Sequence, residues 1–374
     1  MTKDKTKENS LDAARKKINE IDAKMAELFV ERMREAEAVA DFKMARGLAI
    51  FDAEREAEVI RRNSELVSDE VIREYYVNFL KSNMAHSRAY QSRIMSGLKI
   101  AYSGTEGAFA HIAASKLYPT AEKIAFSDFG AAYRAVEDGE CDLAVLPVEN
   151  SYNGEVGQVT DLMFSGSLYV NRILELAVTH DLLCVKGADP AGIKKVVSHP
   201  QALAQCAKYI KKHGYTEQEF SNTALAAKYI AELSDPSVAA IASREAAELF
   251  GLEVVDHDIN TSRGNTTRFA VFSRVANKHI SHEEGVHSIL LFTVRNEAGA
   301  LAKAIDVIGS HGFNMRTLRS RPMKELLWEY YFYVEAEGNV QTEAGLSMME
   351  ELGEFCYKLK FAGTYTKKLI LELL

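Results

Sequence analysis

The stretch GNTTRFAVFS, residues 264–273, joins a turn to a short strand. Residues 268–272 are rich in apolar and aromatic side chains, which is typical of a buried strand. Residues 264–267 have the composition of the loop before it. The hydroxyl of Thr267, beside Arg268, is suited to donate a hydrogen bond to a ligand, and equally suited to bond its own backbone in a turn. The rest of the chain has to decide between these interpretations.

The bulk composition predicts a multidomain globular protein. A length of 374 residues indicates two or three domains, and the 47% of apolar residues is enough for several cores. A net charge of −8 argues against nucleic acid or an anionic membrane surface as the main partner. The longest apolar runs are too short to span a bilayer. The first ten residues, MTKDKTKENS, lack the pattern of a signal peptide, so we expect a cytoplasmic location.

Neither a metal nor an organic cofactor is predicted. Cys141, Cys184, Cys206 and Cys356 are far apart and form no CxxC pair, which is typical of reduced thiols rather than of disulfides or a zinc site. The chain contains neither a GxGxxG fingerprint nor a Walker A motif. The sequence HEEGVH, residues 282–287, has the wrong spacing for a zinc-binding HExxH motif, and we interpret it as linker.

Three segments of the chain differ in composition and in hydrophobic pattern. Residues 1–96 contain no proline and predict three helices: one ending near Gly47, one starting at Asp52 and one over residues 69–93. Residues 98–275 alternate short apolar strands with helices, which is typical of an α/β domain with mostly parallel pairing. After a polar linker, ANKHISHEEG, residues 286–374 predict a ferredoxin-like α+β module of βαββαβ order. It includes a strand over residues 326–338, and its second helix spans residues 347–359.

The first helix has an apolar stripe that is continued by cations. Its apolar members follow steps of three and four: Leu11, Ala14, Ile18, Ile21, Met25 and Leu28. The next position of the stripe is Arg32, Lys43 follows three turns later on nearly the same face, and Arg15 lies near the start. A charge on a core-facing stripe is costly unless it has a partner. One interpretation is that the long side chains extend their charges to solvent or pair them with acids such as Glu35. The other is that the charges line a pocket.

The other two helices also interrupt a core-facing stripe with polar residues. On the second helix these are Asp52, Arg55 and Glu56, and on the third Ser87 and Gln91 extend the stripe of Ile72, Tyr76 and Leu80. Three helices that agree in this way indicate a buried, cation-lined pocket for a small dianion.

Residues 8–95 resemble the all-helical chorismate mutase family. The matching active-site positions are Arg15, Arg32, Lys43, Asp52, Arg55, Glu56, Ser87 and Gln91. The resemblance implies an intertwined homodimer in which Arg15 enters the site of the partner subunit. It also implies the pericyclic rearrangement of chorismate to prephenate, which requires two carboxylates to be held in a reactive shape and charge on the breaking ether oxygen to be stabilised. By this resemblance, Arg15, Arg32 and Arg55 hold carboxylates, and Lys43 and Gln91 donate to the ether oxygen. Asp52 and Glu56 hold the substrate hydroxyl or orient their neighbours.

Short polar groups follow three strands of the α/β segment. The stretches are SGTEG at 103–107, VENS at 148–151 and SHPQALAQ at 198–205. In α/β sheets, ligands collect at the carboxyl ends of strands and at helix N-termini. Taken singly, His199 fits a cap and the pair Glu149–Asn150 fits a turn. Together with TTRF, these groups predict a site.

Residues 98–275 resemble the prephenate dehydratase family through VENS, SHPQALAQ and TTRF. The resemblance implies a two-lobed fold like that of periplasmic binding proteins, with a cleft in which prephenate loses carbon dioxide and water to give phenylpyruvate. By this resemblance, Thr267 donates a hydrogen bond to the leaving hydroxyl, and Arg268 helps to hold a carboxylate or the loop. The other substrate-binding candidates are Thr105, Glu149, Asn150, Ser198, His199 and Gln205.

Residues 286–374 resemble the ACT domain, a small amino-acid-sensing module. One signature is the effector loop Gly299, Ala300 and Leu301. The other signature is usually ESRP, and here it reads Arg319, Ser320, Arg321 and Pro322. The reversal of charge at its first position leaves the details of phenylalanine binding open. The resemblance implies inhibition by phenylalanine, and the alternative is a dimerisation module without an effector.

Together the resemblances imply two consecutive reactions on the route to phenylalanine, in a homodimer or a larger homo-oligomer with an even number of chains. A fusion of chorismate mutase to prephenate dehydrogenase is disfavoured because the nicotinamide fingerprint is missing. A non-catalytic small-molecule-binding regulator with an ACT sensor would have no reason to carry both the cationic helical pocket and TTRF.

Overall fold

The computed structural model describes residues 2–261, 264–277, 285–323 and 329–366, with side chains from residue 11 onward. The chain divides into two compact units, one ending at Leu98 and the other beginning at Lys99. Residues 278–284 of the predicted linker and residues 326–328 of the predicted strand lie outside the described residues.

The first unit consists of three helices. They are α1 (Thr2–Arg46), α2 (Ala53–Ser64) and α3 (Glu70–Ser96). Asp52 and Asp69 cap the second and third helices, because their carboxylates accept hydrogen bonds from the backbone N–H groups of Arg55 and Ile72. The helices therefore begin where the sequence predicted, and α3 extends three residues beyond Arg93.

The apolar stripe of α1 is only partly covered within one chain. Ala36, Ala40, Leu80 and Met84 are buried where α1 packs on α3. The stripe nearer the N-terminus is exposed, and Leu28 is 63% accessible. The sequence predicted that this stripe faces a core. In the described part of this chain, no element covers it.

The second unit begins with two α/β lobes. The first lobe comprises β1 (Lys99–Ser103), α4 (Phe109–Leu117), β2 (Glu122–Phe126), α5 (Phe129–Glu137), β3 (Leu143–Asn150), β4 (Gly154–Glu155), α6 (Gly157–Ser165) and β5 (Tyr169–Ala177). The second comprises β6 (Asp181–Cys184), a 3₁₀ turn (Pro190–Gly192), β7 (Lys195–Ser198), α7 (Pro200–Gln205), α8 (Ala207–His213), β8 (Thr216–Glu219), α9 (Thr223–Leu233), β9 (Val238–Ala242), α10 (Arg244–Phe250) and β10 (Glu253–Asp256). The chain then returns to the first lobe as β11 (Thr266–Ser273).

Both sheets are mixed, which corrects the prediction of mostly parallel pairing. The strand orders are β2-β1-β3-β11-β5, with β4 beside β3, and β10-β6-β9-β7-β8. β1 is parallel to β2 and β3, but β11 is antiparallel to both β3 and β5. Strand–helix alternation predicts parallel pairs, and it carries no information on a strand that returns from another lobe. Because β11 runs antiparallel, Thr267 at its start lies opposite Asn150 at the end of β3.

The third sheet has the predicted βαββαβ order. Its elements are β12 (Val286–Val294), α11 (Ala300–Ser310), β13 (Met315–Pro322), β14 (Tyr330–Glu337), α12 (Glu343–Gly353) and β15 (Cys356–Thr366). The strands are antiparallel in the order β13-β14-β12-β15. Residues 356–359 were predicted as helix and are strand, because pairing with β12 outweighs the local helical pattern.

The third sheet and the first lobe share one hydrophobic core. Ile289, Leu291 and Tyr331 of the third sheet belong to the same buried cluster as Phe272 of the first lobe. Gly363 lets the backbones approach closely, since a Cβ there would overlap the Val170 carbonyl. In the described part of the chain, no helix is both long and apolar enough for a membrane crossing.

Candidate functional site

In the helical unit, Arg32 of α1 contacts α3. Its guanidinium donates hydrogen bonds to Asn83 Oδ1 at 3.1 Å and to the Ser87 hydroxyl. Ser87 is buried, and burial lowers the pKa of the Arg32 guanidinium, which is still a cation at neutral pH. The structure thus joins two of the predicted site residues in one polar cluster.

The remaining predicted residues of the helical unit lie around the turn between α1 and α2 and along α3. Lys43 is half-buried, and its ammonium donates to the Ile50 carbonyl. Glu56 accepts from Arg88 of α3, while Arg55 is exposed and pairs with Glu58 at 2.7 Å. Gln91 is buried, and its Oε1 has no hydrogen-bond partner among the described residues.

Arg15 stands apart from these residues. Its side chain is 67% exposed, and the nearest acid is Asp12 at 3.8 Å. At 1.5 Å of rise per residue, Arg15 lies about 25 Å along the helix from Arg32. A single chain therefore does not bring Arg15 into the cluster.

In the α/β unit, a cavity of about 290 Å³ lies where the two lobes meet. Four predicted residues line it: Asn150, His199, Gln205 and Thr267. The first and last come from adjacent strand ends of the first lobe. The middle two come from α7 and its N-cap in the second lobe. His199 also caps α7, since its Nδ1 accepts from the Gln201 N–H at 3.2 Å.

The amide of Asn150 fixes the hydroxyl of Thr267. Asn150 Oδ1 accepts from the backbone N–H groups of Tyr152 and Asn153, at 3.0 and 3.1 Å. Asn150 Nδ2 then donates to Thr267 Oγ1 at 3.0 Å. No acceptor for the Thr267 hydroxyl proton occurs among the described residues, so this proton is available to a ligand.

A second row of amides lies behind Asn150. Asn150 Nδ2 also donates to Asn265 Oδ1 at 2.8 Å, and Asn265 Nδ2 donates to Gln205 Oε1 at 3.2 Å. His180 Nε2 lies 3.0 Å from the same oxygen of Gln205. His180 and Asn265 are buried and line the cavity.

Four predicted residues of this segment do not line the cavity. Ser198 is fully buried, and its hydroxyl donates to the Ile241 carbonyl at 2.5 Å, so it stabilises the second sheet. Thr105 Oγ1 accepts from Asn222, which itself reaches the cavity. The other two, Glu149 and Arg268, form ion pairs on the opposite face of the first sheet.

Arg268 joins the first lobe to the third sheet. Because successive residues of a strand point to opposite faces, Arg268 points away from the cavity that Thr267 lines. Its guanidinium contacts Glu149 at 3.1 Å, Glu335 at 3.0 Å and the Tyr365 hydroxyl at 2.7 Å. Burial opposes the charge of Glu335, but hydrogen bonds from Arg268 and Tyr365 outweigh it and lower the pKa of this carboxyl.

The third sheet has a cavity of its own, of about 310 Å³. Leu301 at the start of α11 and Ser320 on β13 both line it, together with Tyr330 and Phe332. Gly299 caps α11 with a φ of 87°, a conformation that favours glycine. One residue from each predicted effector signature therefore reaches the same cavity.

Arg319 and Arg321 were grouped with the effector site, and the structure places them on the other face of β13. Arg319 pairs with Glu149, and Arg321 pairs with Glu155 at 2.8 Å and Asp161 at 3.0 Å. These acids belong to the first lobe. Pro322 lines a different cavity, between the third sheet and α6. Strand alternation thus separates Ser320 from Arg319 and Arg321.

Two family patterns match this chain. The pattern of chorismate mutase type II matches residues 14–92, and the pattern of prephenate dehydratase matches residues 100–277. A bifunctional chorismate mutase/prephenate dehydratase of Enterobacter agglomerans is 32% identical over 381 residues, covering 96% of each chain. The chain belongs to the bifunctional chorismate mutase/prephenate dehydratase family.

Other relatives agree with this assignment. The bifunctional enzyme of Neisseria gonorrhoeae is 34% identical, with 94% of this chain and 95% of the relative covered. The crystal structure of prephenate dehydratase from Arthrobacter aurescens in complex with L-Phe is 26% identical. It has a TM-score of 0.66 and covers 73% of this chain and 91% of its own. The present chain has both activities, chorismate mutase and prephenate dehydratase, and acts in phenylalanine biosynthesis.

Sequence reasoning missed several residues of the dehydratase cavity. Asn265 directly precedes TTRF, and its place in the opening loop could have marked it. His180 directly precedes the buried strand β6, in VTHDLL. A histidine next to a strand is a comparable signal of a site. Phe109 and Asn222 have no such signal, because only the meeting of the two lobes brings them to the cavity.

Proposed function

We propose that Thr267 donates the hydrogen bond that helps hydroxide to leave prephenate. The observation that carries this proposal is the hydrogen bond from Asn150 Nδ2 to Thr267 Oγ1. Since Oγ1 accepts from Asn150, the hydroxyl proton of Thr267 is directed to another acceptor, and the cavity is where a ligand would supply it. A threonine hydroxyl is too weak an acid for full proton transfer, so its contribution is hydrogen bonding to developing negative charge.

The reaction itself needs little more than this. Loss of carbon dioxide and water makes the ring aromatic, so the driving force lies in the substrate, and the enzyme stabilises the leaving group and the departing carboxylate. The N-termini of α4 and α9 reach the cavity through Phe109 and Thr223. Their free N–H groups favour substrate carboxylates. Arg268 holds protein carboxylates instead, and so maintains the position of β11.

The test compares Thr267→Val with Thr267→Ser. Valine has nearly the shape of threonine without the hydroxyl, so kcat for supplied prephenate should fall about a hundredfold or more. Serine keeps the donor and should retain much of the activity. The urea unfolding transition of the second unit reports whether each variant is folded. Normal dehydration by Thr267→Val would remove Thr267 from the mechanism.

In the mutase region, we propose that Arg32 and Arg55, with Arg15 of the partner subunit, hold the two carboxylates of chorismate. Lys43 and Gln91 donate to the breaking ether oxygen. The further residues that orient the substrate or its ligands are Asp52, Glu56 and Ser87. The exposed apolar stripe of α1 and the separation of Arg15 from Arg32 support an intertwined homodimer.

We further propose that the third sheet is an ACT domain that binds phenylalanine and inhibits the dehydratase. The shared cavity of Leu301 and Ser320 supports a site there for a single amino acid. The proposed domains are residues 1–96, 98–275 and 286–374. The proposed location is the cytoplasm, which fits the free thiols of the chain.

A further inference from the structure

The amide row behind Thr267 has a single direction of hydrogen bonding. We infer that Asn265 and His180 are positioning residues for dehydration, which continue this direction from Asn150 to Gln205 so that Gln205 presents its nitrogen to prephenate beside the hydroxyl of Thr267. The inference rests on the proposed donor role of Thr267. Neither residue needs to touch the substrate, since each acts through the amide beside it.

The direction starts at the backbone. The N–H groups of Tyr152 and Asn153 can only donate, so the oxygen of Asn150 faces them and its nitrogen faces inward. That nitrogen donates to Asn265 Oδ1 at 2.8 Å as well as to Thr267. The amide of Asn265 is therefore oriented with its own nitrogen toward Gln205.

Gln205 receives two donors on one oxygen. Asn265 Nδ2 lies 3.2 Å from Gln205 Oε1, and His180 Nε2 lies 3.0 Å from it. An oxygen acceptor requires the proton of His180 to be on Nε2. With its oxygen held on this side, Gln205 Nε2 faces elsewhere. It has no hydrogen-bond partner among the described residues, and Gln205 lines the cavity.

Burial makes this direction robust. His180 is 2% exposed and Asn265 is 6% exposed, so water does not readily replace either contact. If one amide were reversed, two acceptors or two donors would face each other in a buried site. The lost hydrogen bonds would raise the free energy of that arrangement. Burial also lowers the pKa of His180, which favours the neutral ring. The charge of Asp181 acts on this ring in the opposite sense, and that acid is held by the Asp258 N–H and by His257 and Arg244.

The first test is Asn265→Asp. An ionised carboxylate accepts from Asn150 but donates nothing, so Gln205 should turn its nitrogen inward and lose its donor to the substrate. We expect kcat for prephenate to fall about a hundredfold at neutral pH, the usual effect of losing one such donor. Acidification should restore kcat as the introduced carboxyl group becomes protonated and donates again.

Asn153→Asp is the matched control. It adds the same charge to the same cavity outside the amide row, because Asn153 takes part only through its backbone N–H. In this control, repulsion of the dianionic substrate should raise KM. Its kcat should not show the recovery at low pH that is expected of Asn265→Asp. If the two variants have the same kcat and KM profiles, or if Asn265→Asp keeps normal kcat at neutral pH, the inference is overturned.

The second test compares His180→Gln with His180→Leu. The amide nitrogen of glutamine can occupy the place of His180 Nε2 and donate to Gln205, whereas leucine donates nothing. We expect leucine to lower kcat about tenfold to a hundredfold, as loss of an orienting partner does elsewhere, and glutamine to recover most of it. A glutamine variant as impaired as the leucine variant, with an unchanged urea unfolding transition of the second unit, would show that His180 acts in another way.

Thr267→Val separates this inference from the function it rests on. If that variant dehydrates prephenate normally, the donor role of Thr267 itself is wrong. If it is inactive while His180→Leu and Asn265→Asp are normal, the donor role stands and the positioning roles are wrong.

Discussion

At the scale of the residue, two neighbours in the chain have opposite tasks. Thr267 lines the cavity between the lobes, whereas Arg268 points to the opposite face, where it meets Glu149 of the first lobe and Glu335 of the third sheet. The period of two in a strand separates them, although the family signature joins them in one motif. A motif therefore groups residues by sequence, while the strand assigns one to chemistry and the other to the link between domains.

Lys43→Ala should lower mutase turnover about a hundredfold or more, because it removes the cation proposed to stabilise the ether oxygen. The rate of chorismate loss measures this effect. Dehydration of supplied prephenate by the same variant checks that the rest of the chain is folded. Lys81→Ala, at an exposed position of α3, is the matched control. Near-normal turnover of Lys43→Ala would remove Lys43 from the mechanism.

Glu335→Gln should destabilise the second unit by about 3 kcal/mol at neutral pH, since it leaves a buried arginine short of its partner. The pKa of Glu335 is lowered in the folded state, so the ion pair stabilises the fold above the ordinary carboxyl pKa of 4.5. This stabilisation is lost as the pH falls from there through the lowered pKa.

Urea unfolding at pH 7 and at several pH values below 4.5 measures this effect. The difference in free energy of unfolding between wild type and Glu335→Gln should become smaller on acidification. Glu337→Gln changes a more accessible acid of the same strand and is the control. If this difference in free energy of unfolding does not depend on pH, the Glu335 side chain acts through packing and not through its charge.

At the scale of the element, α1 is too long for its own unit. Its 45 residues extend about 67 Å at 1.5 Å per residue, and the 27 residues of α3 cover only part of it. The uncovered portion has exposed Ile18, Met25 and Leu28 on one stripe, and it also carries Arg15. An exposed apolar stripe of this length is typical of an interface, and in the proposed isologous dimer the partner would bring its own Arg15 with it.

Complementation tests whether Arg15 acts in the partner's site. Arg15→Ala and Lys43→Ala should each abolish most mutase activity alone. In a mixed dimer, one of the two sites combines a native Lys43 from one chain with a native Arg15 from the other. Refolding equal amounts together should restore about a quarter of wild-type activity if dimers form at random. Mixing without refolding is the control, and no gain after refolding would place Arg15 outside the partner's site.

At the scale of the whole molecule, the third sheet is part of the dehydratase core and not a loosely tethered addition. Arg319, Arg321 and Glu335 all form ion pairs with the first lobe. On the same strand as the two arginines, Ser320 faces the cavity proposed to bind phenylalanine. A ligand beside Ser320 would therefore act on β13, and Arg319 connects that strand to Glu149, which adjoins Asn150. We therefore propose that the reversed charge of the RSRP signature couples β13 to Glu149.

Arg319→Glu should weaken inhibition by phenylalanine while leaving its binding intact. Two carboxylates would then face each other at Glu149, and the factor by which saturating phenylalanine lowers the dehydratase rate should fall about tenfold, within the usual range of coupling energies. Calorimetry should still detect phenylalanine, because Leu301 and Ser320 are unchanged. Leu301→Trp, which fills the cavity, should abolish both binding and inhibition. Unchanged inhibition of Arg319→Glu would exclude this route. No heat from millimolar phenylalanine with wild type would favour a dimerisation module without an effector.

The sequence by itself determined the three helices and their caps, because capping and apolar periodicity are local properties. It also determined the family, through short motifs such as TTRF in the α/β segment and through the spacing of polar residues on the three helices. Only the tertiary structure decided which motif residues meet. It paired Thr267 with Asn150 through an antiparallel return strand, buried Ser198 against Ile241, and turned Arg268 and Arg319 toward carboxylates. The direction and surroundings of a side chain depend on the strand beside it and on the sheet packed against it. Those neighbours are distant in sequence, so no local pattern carries that information.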